Sequence, residues 1–416
     1  MGHRLVESEA REHVYGVCFK TGPPRRTGLE LEWLVHDGAD GRRPVRPERL
    51  EAALAPLAQP GALPHGSRLT REPGGQVELS SLPATTLAAC VRALRTDAEV
   101  LAAALAAEGL VLAGDGLEPH LDPPRIAQHP RYRAMEAYLD RVGPSGRMMM
   151  RATAAVQVNL DAGDDTGGPS GYRFRWELVH RLGPVLVAAF ANSPLWRGRP
   201  TGWRSTRRAV WERMDPPRTA PVTHSEDDGD PRAAWADYAL DAPLLCLRRP
   251  EPDDWNAPPG LTFRDWTRGA DGERPPALDD LDYHLTTLFP PVRPRGWLEL
   301  RMIDTQRGDD WTVAAALAAT LIDDPVAAAA AWEATEPLCP NGAAVPSAEQ
   351  WSLAARLGPA DPVIGKAVRA CFGAADAAMA DSGVPADLRA TVTRFAQRYA
   401  ERGRCPADDL LEGIRG

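Results

Sequence analysis

Lysine is almost missing from this chain. All but two of its 48 basic residues are arginine, the exceptions being Lys20 and Lys366. With the high Ala and Pro content, this reflects a GC-rich genome and carries little functional weight. Cysteine is sparse too. Cys18, Cys90, Cys246, Cys339, Cys371 and Cys405 lie far apart, and none forms a CxxC pair. That excludes a disulfide scaffold and suits free thiols of a reducing compartment. No run approaches the ~20 apolar residues that a membrane-spanning helix needs. The opening stretch, Met-Gly-His-Arg-Leu-Val-Glu-Ser-Glu, lacks the apolar core of a signal peptide. The expectation is a cytoplasmic protein with no membrane partner. Familiar catalytic punctuation is also absent. There is no HExxH or GxSxG, and no GKS or GKT follows Gly74-Gly75, which reads as a turn. Thiol and serine hydrolysis find no support.

The formal charge of −9 and pI of about 5.6 exclude the basic footprint of non-specific nucleic-acid binding. A local basic pocket for a nucleotide remains compatible with them. With 44% hydrophobic and 25% charged residues, the 416-residue chain can bury a sizeable core. Neither a repeat nor a linker between two cores is visible. The expectation is one catalytic domain over residues 1–416, of α+β class. A mainly antiparallel sheet would occupy a core of about 28–304, with a helical region over about 309–416.

The coarse pattern is as follows. A helix covers 3–19, a strand 28–35 and a helix 47–58. Strands 67–72 and 76–81 flank the Gly74-Gly75 turn. Thr85 and Thr86 open a long helix to Ala107. A strand at 110–113, a helix at 130–141, a strand at 154–161 and a helix over 172–189 come next. Residues 191–218 read as an Arg- and Trp-rich loop with a helix near 203–213. Residues 219–232 read as an exposed acidic stretch, 236–248 as including a strand, and 249–282 as a surface excursion. A strand at 296–304 precedes the C-terminal helices.

Alternation within the strands carries the chemistry. Side chains of a strand point to opposite faces in turn. In Gly28-Leu29-Glu30-Leu31-Glu32-Trp33, the acids share one face and the leucines the other. Glu78 lies in a similar segment with Glu72 just before it, and Glu299 and Arg301 share a face in Trp297-Leu298-Glu299-Leu300-Arg301. If these strands share a sheet, one face gathers carboxylates, which repel one another and call for cations. Magnesium takes oxygen ligands, usually one or two carboxylates with water and phosphate oxygens. A lone Glu-x-Glu equally suits a solvated sheet face, but recurrence in three segments weakens that reading. Arg301 suits a phosphoryl group or a structural salt bridge to Glu299. Gln157, Asn159 and Asp161 would orient a substrate or simply form a polar strand face. The stretch Arg197 to Arg213, with Trp196, Trp203 and Trp211, suits carboxylate capture, and its part at 196–208 is a candidate lid. Met148-Met149-Met150 reads as core filling.

The segments REPGGQVELSS, RATAAVQVNLD, ANSPLWRGRPTGWRSTRRAVW, DYALDAPLL, LTFRDW and HLTTLFPPVRPRGWLELRMID resemble, in this order, the plant-type glutamate–cysteine ligases. The nearest fit is the actinobacterial branch that feeds ergothioneine synthesis. The resemblance runs over about 28–304. It implies a glutamine-synthetase-like fold, a curved antiparallel sheet forming a funnel with helices outside. It implies ATP, L-glutamate and L-cysteine as substrates, a γ-glutamyl phosphate intermediate, and two or three Mg2+ ions with ATP. Glu30, Glu32, Glu72, Glu78 and Glu299 match the metal-ligand positions. Arg301 matches the phosphate-facing position, with Glu299 also catalytic. Gln157 and Asn159 match the pocket strand, and Arg207 the arginine for the glutamate α-carboxylate, with Arg204 and Arg218 as neighbours. No obligate protein partner is implied. The alternatives within this fold are a ligase for another amine, or a non-catalytic nucleotide-binding relative.

Overall fold

The computed structural model of the chain describes residues 4–222, 229–250, 254–270 and 274–415. Among these, seven strands form one sheet: β1 (Thr27–Asp37), β2 (Arg68–Arg71), β3 (Val77–Ser80), β4 (Leu110–Ala113), β5 (Ala155–Asp161), β8 (Val292–Pro294) and β9 (Trp297–Asp304). A separate small hairpin joins β6 (Leu195–Trp196) to β7 (Arg199–Pro200). The order in the sheet is β2-β3-β1-β5-β9-β8, with β4 on the far half of β1, and every pairing is antiparallel. The class is therefore α+β with an antiparallel sheet, as expected.

The alternation does what the sequence demands. Leu29, Leu31, Val77, Leu79, Val156, Val158, Leu160, Leu298 and Leu300 are all buried at 1% exposure or less. Helices Leu87–Ala107, Gly183–Ala189 and Trp311–Asp323 pack against the sheet. The helix Leu87–Ala107 starts where Thr86 Oγ1 accepts the Ala89 amide, and stops at Gly109, whose φ of +66° favours glycine. The other face stays polar and open. Among the described residues no single helix is long and apolar enough to cross a membrane.

Several expectations need correction. No regular strand occupies 236–248. Pro231–Asp241 is a helix, with Pro231 in its first turn and the Asp230 side chain accepting the Arg232 amide. Trp235, Ala236, Ala239 and Leu240 are buried at helical spacing, and only isolated bridges at Pro243 and Cys246 follow. The helix expected over 172–189 is two, because Leu182 ends Tyr172–Arg181 and Pro184 enters the first turn of Gly183–Ala189. A helix at Ser145–Ala152 was missed. The supposed surface excursion is anchored by buried Leu261, Phe263, Trp266 and Leu281, with a Thr262–Asp265 capping box. Residues 251–253 and 271–273 of that excursion, and 223–228 of the acidic stretch, lie outside the described residues.

The C-terminal helices are pinned to the sheet-bearing part. Trp351, fully buried, sits so close to Gly183 that a Cβ there would lie 1.8 Å from the indole. Arg208 stacks over Trp351 at 5.1 Å, and Arg204 Nε pairs with Asp408 at 2.8 Å. Gly183→Ala is therefore expected to cost about 1–3 kcal/mol of stability by overpacking. Urea unfolding reads this, and Trp351→Leu in the same chain should recover part of the loss. An unchanged midpoint in Gly183→Ala would contradict the contact.

Candidate active site

Strand register, not sequence proximity, assembles the site. Glu32 lies opposite Glu78, Glu30 opposite Ser80 on one side and Gln157 on the other, and Asn159 opposite Glu299. Directly opposed residues share a face, so four strands contribute to one polar floor. Glu72 joins from the turn before β3. There the Gly74-Gly75 pair is forced by space: a Cβ on Gly74 would lie 2.1 Å from the Arg151 carbonyl oxygen, and Gly75 has φ of +95°. Gln76 locks this turn, its Nε2 donating to the Thr153 carbonyl at 2.9 Å while its Oε1 accepts the Gly74 amide at 3.0 Å.

Glu30, Glu32 and Glu78 each have neutral donors. Gln157 Nε2 donates to Glu32 at 2.8 Å and Asn159 Nδ2 to Glu30 at 2.9 Å. Thr70 and Ser80 hydroxyls each donate to Glu78 at 2.9 Å. Arg301 Nη1 donates to Gln157 Oε1 at 2.7 Å and to Glu299 at 3.2 Å. Arg301 is thus salt-bridged to Glu299 and also lines the chamber that holds the acids.

A cleft of about 1340 Å³ lies over this floor and leads to an inner chamber of about 240 Å³. Glu30, Glu72, Glu78, Arg131 and Tyr132 line both. One wall of the chamber is polar, with Glu32, Gln157 and Arg301. Soft and apolar side chains, Met135, Met149, Met150, Trp211 and Phe289, complete the lining. The methionine run does fill core, as expected, but two of its members also face the chamber.

Glu30, Glu32, Glu72, Glu78, Gln157, Asn159 and Arg301 are thus brought together. Glu299 stands apart from the cavity linings. It is fully buried, its carboxylate gripped by Arg293 at 2.6 and 3.2 Å, by Arg295 at 3.4 Å and by Arg301. Arg207 lies behind Arg301, 3% exposed, with Nη2 donating to the Arg301 carbonyl at 2.9 Å. Arg204 is not in the site: it turns away to Asp408 on the last helix. Arg218 is not there either. Its fully buried guanidinium is consumed by Asp215 at 2.8 Å, Thr287 at 2.9 and 3.1 Å and the Pro243 carbonyl. The stretch 196–208 lines neither the cleft nor the chamber, and is tied back through Ser205, whose Oγ donates to buried Asp304 at 2.9 Å. Sequence reasoning missed Arg131, Arg293 and Arg295. Arg293 was within reach, since it pairs opposite Glu299 across a tight Pro294–Gly296 reversal.

Electrostatics split the acids into two classes. Burial, then the charges of Glu299 and Glu78, pushes Glu30 up to about 7. Burial, then neighbouring carboxylates, likewise raises Glu32 and Glu72. Burial alone would raise Glu299, but Arg293 and Arg301 hold it down at about 2. Burial would lower Arg301, but Glu299, Glu32 and Glu30 outweigh it. Glu30, Glu32, Glu72 and Glu78 fit a hard divalent cation, which takes oxygen donors and relieves their repulsion. Among the described residues, no three acidic, His or Cys side chains converge on one point. Such an ion would draw its other oxygens from water or substrate.

Comparison with known proteins agrees. The sequence model of glutamate–cysteine ligase family 2 (GCS2) matches residues 26–415. The glutamate–cysteine ligase EgtA of Mycobacterium tuberculosis is 41% identical over 98% of this chain and 90% of its own length. That of Mycolicibacterium smegmatis is 40% identical over 98% and 91%. A chloroplastic glutamate–cysteine ligase of Medicago truncatula is 35% identical over 60% of this chain and 49% of its own. The crystal structure of a Francisella tularensis glutamate–cysteine ligase in complex with AMP superposes with a TM-score of 0.57 at 11% identity, covering 95% of this chain and 86% of that one. The match to 415 extends the similarity well past residue 304, into the C-terminal helices.

Two outcomes are expected. Glu30 carries a raised value in the fold against an ordinary 4.5, so the folded protein holds protons that the unfolded chain releases. Its contribution to stability is fully present below pH 4.5 and is lost as pH rises through about 7. In metal-free buffer the melting temperature should fall across that window, less steeply in Glu30→Gln; an identical slope in both would contradict the crowding. Glu299→Ala should lose about 3–5 kcal/mol in chemical unfolding, because it strands buried guanidinium groups. A loss confined to function, with normal stability, would show that the arginines do not depend on it.

Proposed function

The chain belongs to glutamate–cysteine ligase family 2, and on that premise we propose that it joins the γ-carboxylate of L-glutamate to the amine of L-cysteine using ATP. The products are γ-glutamylcysteine, ADP and phosphate, and we place the dipeptide in ergothioneine synthesis. The observation that carries this reading is the meeting of Glu30, Glu32, Glu72 and Glu78 with Arg301 around one chamber.

The residues fit the chemistry. A glutamate γ-carboxylate oxygen attacks the terminal phosphorus of ATP and ADP departs, leaving an acyl phosphate. The cysteine amine then attacks that carbonyl carbon, phosphate leaves and the amine loses a proton. Phosphoryl transfer needs positioning and charge neutralisation rather than protein nucleophiles. Arg301 supplies fixed positive charge, aimed by Gln157 and Glu299 at 2.7 and 3.2 Å. Two or three Mg2+ ions, held by Glu30, Glu32, Glu72 and Glu78, would neutralise phosphate charge. We keep Glu299 as the residue that sets Arg301 rather than as a free ligand, because its oxygens are engaged by arginine. Arg207 lines neither the cleft nor the chamber, and its bond to the Arg301 carbonyl at 2.9 Å makes it a support for Arg301 rather than a contact for the glutamate α-carboxylate. The Met135, Met149 and Met150 wall suits a soft acceptor side chain and gives water few partners, which protects an acyl phosphate. We read the whole chain as one catalytic unit.

ADP release is expected only when glutamate and cysteine are both present with ATP and magnesium. Release with a different amine in place of cysteine would change the acceptor, and release with no amino-acid pair would end the proposal. Arg301→Lys should lower kcat by roughly 100-fold or more, since a point charge cannot reproduce the forked guanidinium. A kcat within a fewfold of the parent would remove Arg301 from phosphoryl transfer.

A further inference from the structure

Trp297 opens β9 and shares its face with Glu299 and Arg301, yet it is 38% exposed. It lies opposite Asp161, at the outer rim of the cleft. An exposed tryptophan at the end of a polar strand face calls for a reason. Its indole is fixed: Nε1 donates to Asn159 Oδ1 at 3.1 Å, and Asn159 in turn donates to Glu30. Arg295 stands 5.6 Å from the ring. The floor beside it is cleared by Gly28, opposite Asn159, where a Cβ would already touch the Asn159 Cβ at 3.4 Å.

The rim is also built for anions. Residues 20–26 form its wall, held by Asp161, which accepts the Arg25 and Arg26 amides at 2.7 and 2.8 Å, and by the Gly22 amide donating to Gly163 at 2.9 Å. The stem of Lys20 lies along Gly296, where a Cβ would come within 3.2 Å of it. Lys20, Arg26 and Arg68 line the cleft, and among the described residues none of them is bound in an ion pair.

We propose that Trp297 is the platform for the purine base of the nucleotide, with Lys20 and Arg26 beside it at the rim. This rests on the ligase reading above and adds the nucleotide's orientation to it. Four residues of strand separate Trp297 from Arg301, roughly 13 Å at ~3.3 Å per residue. That span matches an extended triphosphate running from its base at the rim to its terminal phosphorus at Arg301. Of the substrates, only the nucleotide offers a flat π-face for an indole; the amino acids offer charged groups, which the inner chamber accommodates. A base stacked on a fixed aromatic ring gains binding without demanding hydrogen bonds from the protein.

The test compares Trp297→Ala and Trp297→Phe with the parent enzyme. In the alanine variant the KM for ATP should rise about 10-fold or more, while those for glutamate and cysteine stay within about twofold. Phenylalanine should restore most of the loss, and both melting temperatures should match the parent because the side chain is exposed. A KM for ATP that stays level, or a parallel rise in all three, overturns the proposal. Calorimetric titration with the non-hydrolysable ATP analogue AMP-PNP gives a readout independent of turnover. Were the parent to bind it without ligating glutamate to cysteine, the function would fail and the platform would still be judged. Weakening by about 10-fold in Trp297→Ala then supports it, and equal affinity overturns it.

Discussion

Carboxylates crowded on one face of an antiparallel sheet are the constraint from which the rest of the structure follows. Register brings Glu30, Glu32 and Glu78 together and the turn before β3 adds Glu72, and burial with neighbouring carboxylates raises Glu30, Glu32 and Glu72 above the usual carboxylate range. The fold answers in two ways. Neutral amides and hydroxyls, from Gln157, Asn159, Thr70 and Ser80, satisfy part of their hydrogen-bonding capacity without cancelling their charge. Cationic side chains are concentrated instead on Glu299, leaving the other acids in want of positive charge. A protein selected only for stability would have paired them.

The arginines divide the labour by depth. Arg293 and Arg295 secure Glu299, and Glu299 with Gln157 aims Arg301. Behind them Asp304 ties Asn192, Ser193 and Ser205 to the end of β9, at 2.9, 2.7 and 2.9 Å, and faces Arg207. The motifs ANSP and STRR are therefore mainly braces for the strand that carries Arg301. The C-terminal helices extend the brace through Arg204, Arg208 and Trp351. A similarity that covers those helices is understandable on these grounds, because the strand that carries Arg301 leans on them.

The acid-bearing strands were legible because alternation is local: each strand declares its own two faces, and Leu29, Glu30, Leu31 and Glu32 need no partner to do so. The Gly74-Gly75 turn was legible for the same reason. The arginines were not. Guanidinium groups reach far, and where Arg207, Arg204 and Arg218 point depends on residues distant in the chain, namely Arg301, Asp408 and Thr287. Arg218 is absorbed by Asp215 and by the Thr287 and Pro243 carbonyls from two other segments, which no spacing rule announces. The strand expected within 236–248 overlaps the end of the helix Pro231–Asp241, whose buried Trp235, Ala236, Ala239 and Leu240 fall at helical spacing. The apolar chamber wall was hidden in a methionine run that is core on one side and cavity on the other.

The central claim is that divalent ions and a triphosphate lie on this acidic face. Anomalous diffraction from crystals grown with Mn2+ and AMP-PNP addresses it without reliance on turnover. The account predicts manganese peaks among Glu30, Glu32, Glu72 and Glu78, with the terminal phosphate toward Arg301. Manganese bound only elsewhere, with those carboxylates facing solvent or arginine alone, would contradict it.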